Sequence, residues 1–396
     1  MKKKKLAGIA MSLAIVAGSL AGCGESGKTS SDSSGEKGEV IKIGANLELS
    51  GGVASYGQSI YEGLDLAIKE INKDGGVDGK KIKIVKVDNK SDASEATSAA
   101  LKLISQDQVS AIVGAATSGD TTAQIQIAQD NKIPVITPTG TSPDLTFKDG
   151  KLNDYIFRTC FIDPFQGTVA ANFASQELKA KKAAIYLDSS SDYSKGLADA
   201  FAKQFKKNGG EVIKPEAFVA KDTDFRATLT RLKAEKPDFI FLPGYYEEVG
   251  LIVKQAREAG LNVPFMGGDG WDSPKLIEIA GKEALNNTFI TNHYSSGDPS
   301  ETIQNFVDAF GKNYSGKSPD AFNALGYDTG YLLADAIKRA GSADSKKIKD
   351  ALEETKDLKL VSGNFTLDDK HNPIKSATIL EFVDGVQTYK AKIDPK

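Results

Sequence analysis

Residues 40–87 read VIKIGANLELSGGVASYGQSIYEGLDLAIKEINKDGGVDGKKIKIVKV. Positions 40–45 and 82–87 are β-branched runs, as strands require. Between them Ile60, Leu64, Ile68 and Ile71 recur at helical spacing, and Gly75-Gly76 ends that helix. The segment is therefore one strand–loop–helix–strand unit, and the rest of the chain repeats it. An alanine-rich helix is expected at 93–104, a strand at 111–114, a helix at 121–131 and a strand at 134–136. Further strands are expected at 183–187, 212–213, 239–242, 265–266 and 289–290, with helices between them, among them 225–235 and 248–260. Repeated β-α-β units make parallel sheets covered on both faces. Two series of about 120 residues each, a usual domain size, predict an α/β protein of two doubly wound parallel-sheet lobes.

Upstream of this segment, Lys2 to Lys5 form a positive start, residues 6–20 a short uncharged apolar stretch, and Leu20-Ala21-Gly22-Cys23 its end. That is the layout of a secretory signal, too short for a spanning helix of about 20 apolar residues. Its ending resembles a bacterial lipobox, which implies a signal peptide at 1–22, lipidation of Cys23 and a chain anchored to the cell membrane facing outside the cytoplasm. Residues 23–39 are Gly/Ser-rich and charged, the composition of a flexible tether. Gly22 to Thr29 also fits the phosphate-loop pattern G-x-x-x-x-G-K-[ST], but that chemistry needs a strand before the loop and a helix after it, whereas a signal's apolar stretch precedes it and a Gly/Ser-rich segment too polar to start a helix follows.

Composition excludes several functions. The net charge is −3, and −7 once the leader's four lysines are gone, with no basic tract for nucleic acid. Cys160 is the only cysteine after Cys23, so folding relies on the core rather than on an internal disulfide. His293 and His371 are the only histidines and no C-x-x-C or H-E-x-x-H occurs, so neither a metal site nor a cofactor is expected. An extracellular hydrolase would need a converging nucleophile, base and acid. No G-x-S-x-G elbow exists, and neither histidine falls in a polar cluster behind an expected strand.

In open parallel sheets, ligands bind beyond the carboxyl ends of the strands. Polar clusters follow the expected strands at 49–57, 115–118, 137–142, 188–193, 244–246 and 267–271. In this order they resemble the branched-chain amino-acid-binding proteins of ABC importers, with the type I periplasmic-binding-protein fold. The most specific pieces are Ser50 to Gly57, Thr137 to Pro143, and the stretch from Gly244-Tyr245-Tyr246 through Gly260-Leu261 to Gly267. The resemblance implies a three-segment hinge crossed near 160, 292 and 370. It divides the chain into a first lobe of 40–160 and 293–370 and a second of 161–292 and 371–396.

It also implies a binding role without catalysis. A free amino acid, in the first place leucine, isoleucine or valine, is captured by a monomer and passed to permease subunits with cytoplasmic ATPases. Ser118 and Thr141 would hold the α-carboxylate, Ser118 from just before a helix start. The Thr139 carbonyl and Thr141 hydroxyl would share the α-ammonium with Asp269. Tyr245 would close over the ligand, Tyr193 would face the cleft and Tyr56 would wall the side chain; Trp271, beside the Asp269 loop, either walls the apolar end of the pocket or caps the second core. Asp163, Phe165 and Gln166 would line the hinge, and Phe322 and Tyr327 return to the cleft. The chain departs from well-known members at Asp269, where they carry glutamate, and at Thr117, where they place a disulfide cysteine. A ligand-sensing or accessory lipoprotein recognising another small molecule, such as an amide, is the alternative on the same fold.

Overall fold

The computed structural model describes residues 40–394; the leader, Cys23 and the tether lie outside the described residues. Strands β1 (Ile41–Leu47), β2 (Ile82–Asp88), β3 (Ala111–Gly114), β4 (Val135–Thr137) and β5 (Ile156–Arg158) form one sheet. Its order is β2-β1-β3-β4-β5, with every pair parallel. The second sheet contains β6 (Lys182–Asp188), β7 (Glu216–Phe218), β8 (Phe239–Phe241), β9 (Phe265–Gly267) and β10 (Thr288–Asn292). It continues into β11 (Ala377–Val383) and β12 (Val386–Ile393). The order is β7-β6-β8-β9-β10-β11-β12, parallel up to β10 and antiparallel beyond, with the short strand Glu211–Val212 beside β6. The first five strands of each sheet thus share one winding.

Burial explains the apolar runs. Every residue of β3, β4, β5, β8, β9 and β10 is buried, because helices cover both faces of a parallel sheet. The chain crosses between the sheets three times. After β5 it enters helix α3 (Asp163–Gln176), which packs on α4 (Asp192–Lys207) of the second sheet. After β10 it returns to the first sheet as helices α5 (Glu301–Asn313) and α6 (Ala321–Ala340), and it then crosses back to β11. Helix α6 lies directly on α1 (Ala54–Lys73). Two glycines allow this approach: a Cβ on Gly63 would lie 1.9 Å from the Asn323 carbonyl oxygen, and one on Gly326 2.2 Å from that of Ile60.

One expected element is divided. The single helix at 121–131 is instead α2 (Ser118–Thr122) followed by a separate helix Ile125–Asn131. Between them the buried Gln124 amide takes the Asp120 carbonyl and the Asn46 amide, which replaces continuous helical bonding at that point.

Candidate functional site

Both sheets have a switch point in the same place. In the first, β1 lies between β2 and β3; in the second, β6 lies between β7 and β8. Neighbouring connections leave in opposite directions there and open a crevice beyond the strand ends. The loops after β1, β3 and β4 meet those after β6, β8 and β9 around a nearly closed cavity of about 10 Å³. Larger hollows, such as that beside Lys254, Arg257 and Lys282, lie away from these strand ends.

On the first-lobe side the cavity is lined by Tyr56, Ala116, Thr117, Ser118, Thr139 and Phe322. Its backbone is organised by Glu48, the residue immediately after β1. The buried Glu48 carboxyl accepts the N–H of Ala116 at 2.9 Å and of Thr117 at 3.0 Å. Burial, and next the neighbouring Asp120, push its pKa from 4.5 to about 8. Thr117 is the cap of α2, its hydroxyl accepting the Asp120 N–H at 3.2 Å. Ser118 is therefore the first helical residue rather than the residue before it, and its N–H has no partner within the helix. The Ser118 hydroxyl accepts the Ser142 N–H at 3.2 Å, and the Thr139 hydroxyl donates to the Ala116 carbonyl at 2.7 Å.

Thr141 stands one layer back. Its hydroxyl is buried and unbonded, and its carbonyl accepts the Asp163 N–H at 3.0 Å. The Asp163 carboxyl, pushed up to about 7 chiefly by burial, lies near that hydroxyl without reaching hydrogen-bond geometry. Arg158, at the end of β5, holds the whole loop. Its guanidinium donates to the carbonyls of Gly140 at 2.9 Å and Ser142 at 2.7 Å, on either side of Thr141.

The second lobe supplies Tyr193, Tyr245, Asp269 and Gly270. Tyr193 and Tyr245 stack with ring centroids 5.2 Å apart, and Tyr56 stacks on Phe322 at 4.3 Å. Asp269 is 2 % exposed and held from three sides. Its Oδ1 accepts the Tyr193 hydroxyl at 2.9 Å and the Gln166 amide at 3.0 Å, and its Oδ2 lies 3.0 Å from His293 Nε2. Gln166 is fixed in turn, its Oε1 accepting the Thr291 hydroxyl at 2.7 Å. Contacts also bridge the lobes: the Tyr56 hydroxyl donates to the Gly270 carbonyl, Ser273 and Ser55 hydroxyls bond at 2.8 Å, and Ala321 N–H reaches Asp272 at 2.9 Å.

Six of the eight expected ligand residues, Tyr56, Ser118, Thr139, Tyr193, Tyr245 and Asp269, line this cavity. Trp271 takes the core position of its two expected places and does not line the cavity. Its ring is fully buried in the core and its indole N–H donates to the Leu242 carbonyl at 2.9 Å, the partner a buried indole needs. Gly267 leaves the space for it, since a Cβ there would lie 1.9 Å from the indole nitrogen. Tyr327 is corrected: it turns outward to Glu70, at 2.6 Å, whereas Phe322 does reach the cavity. His293 is a further correction, for it directly follows β10 and contacts Asp269. Glu48, Arg158 and His293 carry no motif. Their only sequence signal is a lone ionisable residue at the carboxyl end of a strand. Among the described residues, no group of three or more His, Cys, Asp and Glu side chains is placed to hold a metal, and no helix is long and apolar enough to cross a membrane.

Two doubly wound lobes that close their strand-end loops over a small polar and aromatic cavity define a two-lobed ligand-binding protein. The chain belongs to the periplasmic binding protein family, whose model matches residues 40–387. It is similar to the Leu/Ile/Val-binding protein homolog 1 of Brucella suis, with 34% identity over 84% of this chain and 87% of that protein. Among solved structures it is similar to a branched-chain amino acid transporter substrate-binding protein from Streptococcus pneumoniae in complex with isoleucine. The identity there is 41%, over 90% of this chain and 100% of that one, with a TM-score of 0.84. A Rhodopseudomonas palustris solute-binding protein in complex with benzoate has 27% identity over 90% of this chain and 97% of that one, with a TM-score of 0.81.

Proposed function

We propose that this chain is the substrate-binding component of an ABC importer. It captures a free branched-chain amino acid, leucine, isoleucine or valine, and delivers it to permease subunits with cytoplasmic ATPases. One observation carries the reading: the buried Asp269 carboxylate borders the cavity that the strand-end loops of both lobes close over, across from the Ser118 side. The ligand's carboxylate lies against Ser118 and its ammonium between the Thr139 carbonyl and Asp269, with Thr141 one layer behind them. Its side chain packs on Tyr56, Tyr193, Tyr245 and Phe322. Burying both charges is tolerable only when each is fully hydrogen-bonded. One methylene in an apolar pocket discriminates by only roughly 1–3 kcal/mol, so all three amino acids bind.

Capture begins on the first lobe and ends with hinge closure. The lobes are 40–160 with 293–370 and 161–292 with 371–396. Closure makes the Tyr56–Gly270, Ser55–Ser273 and Ala321–Asp272 contacts described above. No bond of the ligand is broken. The protein acts as a monomer outside the cytoplasm, tethered through lipid on Cys23, a placement supported by the leader sequence.

Thermal unfolding of residues 24–396, refolded beforehand to shed captured ligand, tests this against free amino acids, benzoate and small amides. Leucine, isoleucine or valine at a hundred times its dissociation constant adds about 2.7 kcal/mol and raises the midpoint. Shifts with amides alone would keep the fold and retire the ammonium role of Asp269.

A further inference from the structure

We infer that His293 is a positioning residue for ligand capture: in its neutral form it fixes the Asp269 carboxylate for the ammonium, and when protonated it takes that carboxylate for itself and releases the ligand. The inference rests on the reading that a free amino acid's ammonium meets Asp269. His293 follows β10, and Asp269 follows the neighbouring parallel strand β9. The two side chains therefore leave adjacent strand ends on the same edge of the sheet. The imidazole is clamped flat on Phe161, with ring centroids 3.8 Å apart and planes 25° apart.

Its two nitrogens are unequal. Nε2 is 3.0 Å from Asp269 Oδ2, whereas Nδ1 is buried with no partner. This geometry assigns the proton of the neutral ring to Nε2. The other tautomer would set a lone pair against the carboxylate and bury an N–H with no acceptor. Asp269 Oδ1 already accepts two donors, Tyr193 and Gln166, while Oδ2 accepts only His293. A carboxylate offers about four lone-pair sites, so the remaining acceptor position is on Oδ2, beside the imidazole. His293 and the ligand's ammonium thus share one oxygen.

With neutral His293, the ammonium neutralises Asp269 and the buried site carries no net charge. A second proton on the imidazole would complete an Asp269–His293 ion pair first, and the arriving ammonium would then be an unpaired buried cation. The groups facing the ring are Asp269 and Asp272 from the loop after β9 and Lys375 from the third crossing. Asp163 and Cys160, from the first crossing, act on the site through Asp269. Burial holds His293 below the ordinary imidazole value, so the second proton enters only on the acid side of neutrality. Loss of affinity is therefore expected as pH falls, by up to about tenfold per pH unit for one linked proton. Asp163, at about 7, titrates nearby, so the assignment requires variants.

The experiment is calorimetric titration of leucine between pH 5 and 7.5 into the refolded wild type, His293→Gln and His293→Phe. Glutamine keeps a neutral N–H donor without titrating, and phenylalanine keeps the stack on Phe161 without donating. The expected wild-type affinity falls with acid. The glutamine variant holds its neutral-pH affinity within about threefold and loses the acid slope. The phenylalanine variant is weaker at every pH by about ten- to a hundredfold, as for a lost hydrogen bond to a charged group. An acid slope unchanged in His293→Gln overturns the proposal, as does full affinity at pH 7 in His293→Phe. Should the phenylalanine variant fail to fold, the slope of the glutamine variant decides alone. Wild type that ignores leucine at pH 7 overturns the amino-acid reading itself, a failure distinct from a lost or persistent slope.

Discussion

Asp269→Ala is expected to lower affinity for leucine by at least a hundredfold, because an ammonium buried without its counter-charge costs about 3–5 kcal/mol. The same change leaves the Tyr193 hydroxyl, the Gln166 amide and His293 Nε2 without their acceptor, so some loss of folding stability accompanies it. Asp269→Asn separates the two effects. It keeps one oxygen, for the Tyr193 and Gln166 donors, and the shape of the wall while removing the charge, and it sets its amide nitrogen against His293 Nε2. Calorimetry on both variants, with unfolding midpoints measured in parallel, is expected to give a higher midpoint for asparagine than for alanine and weak binding for both. Native affinity in Asp269→Asn would mean that the ammonium does not meet this carboxylate.

The second large effect concerns stability and pH. Glu48 has its folded pKa raised from 4.5 to about 8. Between those values the folded protein holds a proton that the unfolded chain has released. The stability contributed by this group is thus present below about 4.5 and lost as pH rises through about 8. Asp120, also raised by burial, faces Glu48 and repels its charged form. Glu48→Gln keeps an oxygen for the Ala116 and Thr117 N–H groups and cannot ionise. It is expected to unfold near the wild-type temperature at pH 5 and above it at pH 8.5. For a domain of this size, each kcal/mol is worth about 2–4 °C. A variant less stable than wild type at pH 8.5 would show that the charged carboxylate itself holds the loop.

Much of the fold was legible because its signals are local. Ile60, Leu64, Ile68 and Ile71 declare a helix, and buried strands such as Ala111–Gly114 and Phe239–Phe241 read as short apolar runs. The loops around Tyr56, Ser118, Thr139, Tyr193, Tyr245 and Asp269 were legible for a related reason. Parallel topology carries every strand's carboxyl end to one edge, so polar residues directly after strands gather there. What escaped depends on contacts between distant segments. Among the contacts described above, Glu48, Arg158 and His293 find partners 16 to 69 residues away, and nothing in their own neighbourhood announces them. Trp271 adjoins the cavity loop but turns the opposite way. Gly267 decides that direction, and only the packing reveals the vacancy it leaves.

The central claim is that one small cavity holds both charges of a free amino acid, and ligand truncation tests it most directly. Leucine, 4-methylpentanoate, which lacks the ammonium, and 3-methylbutylamine, which lacks the carboxylate, would be titrated calorimetrically into the refolded protein at pH 7. The expected result is binding of leucine and at least about a hundredfold loss for each analogue, as for a broken buried pair. Binding of 4-methylpentanoate as tight as that of leucine would contradict the account.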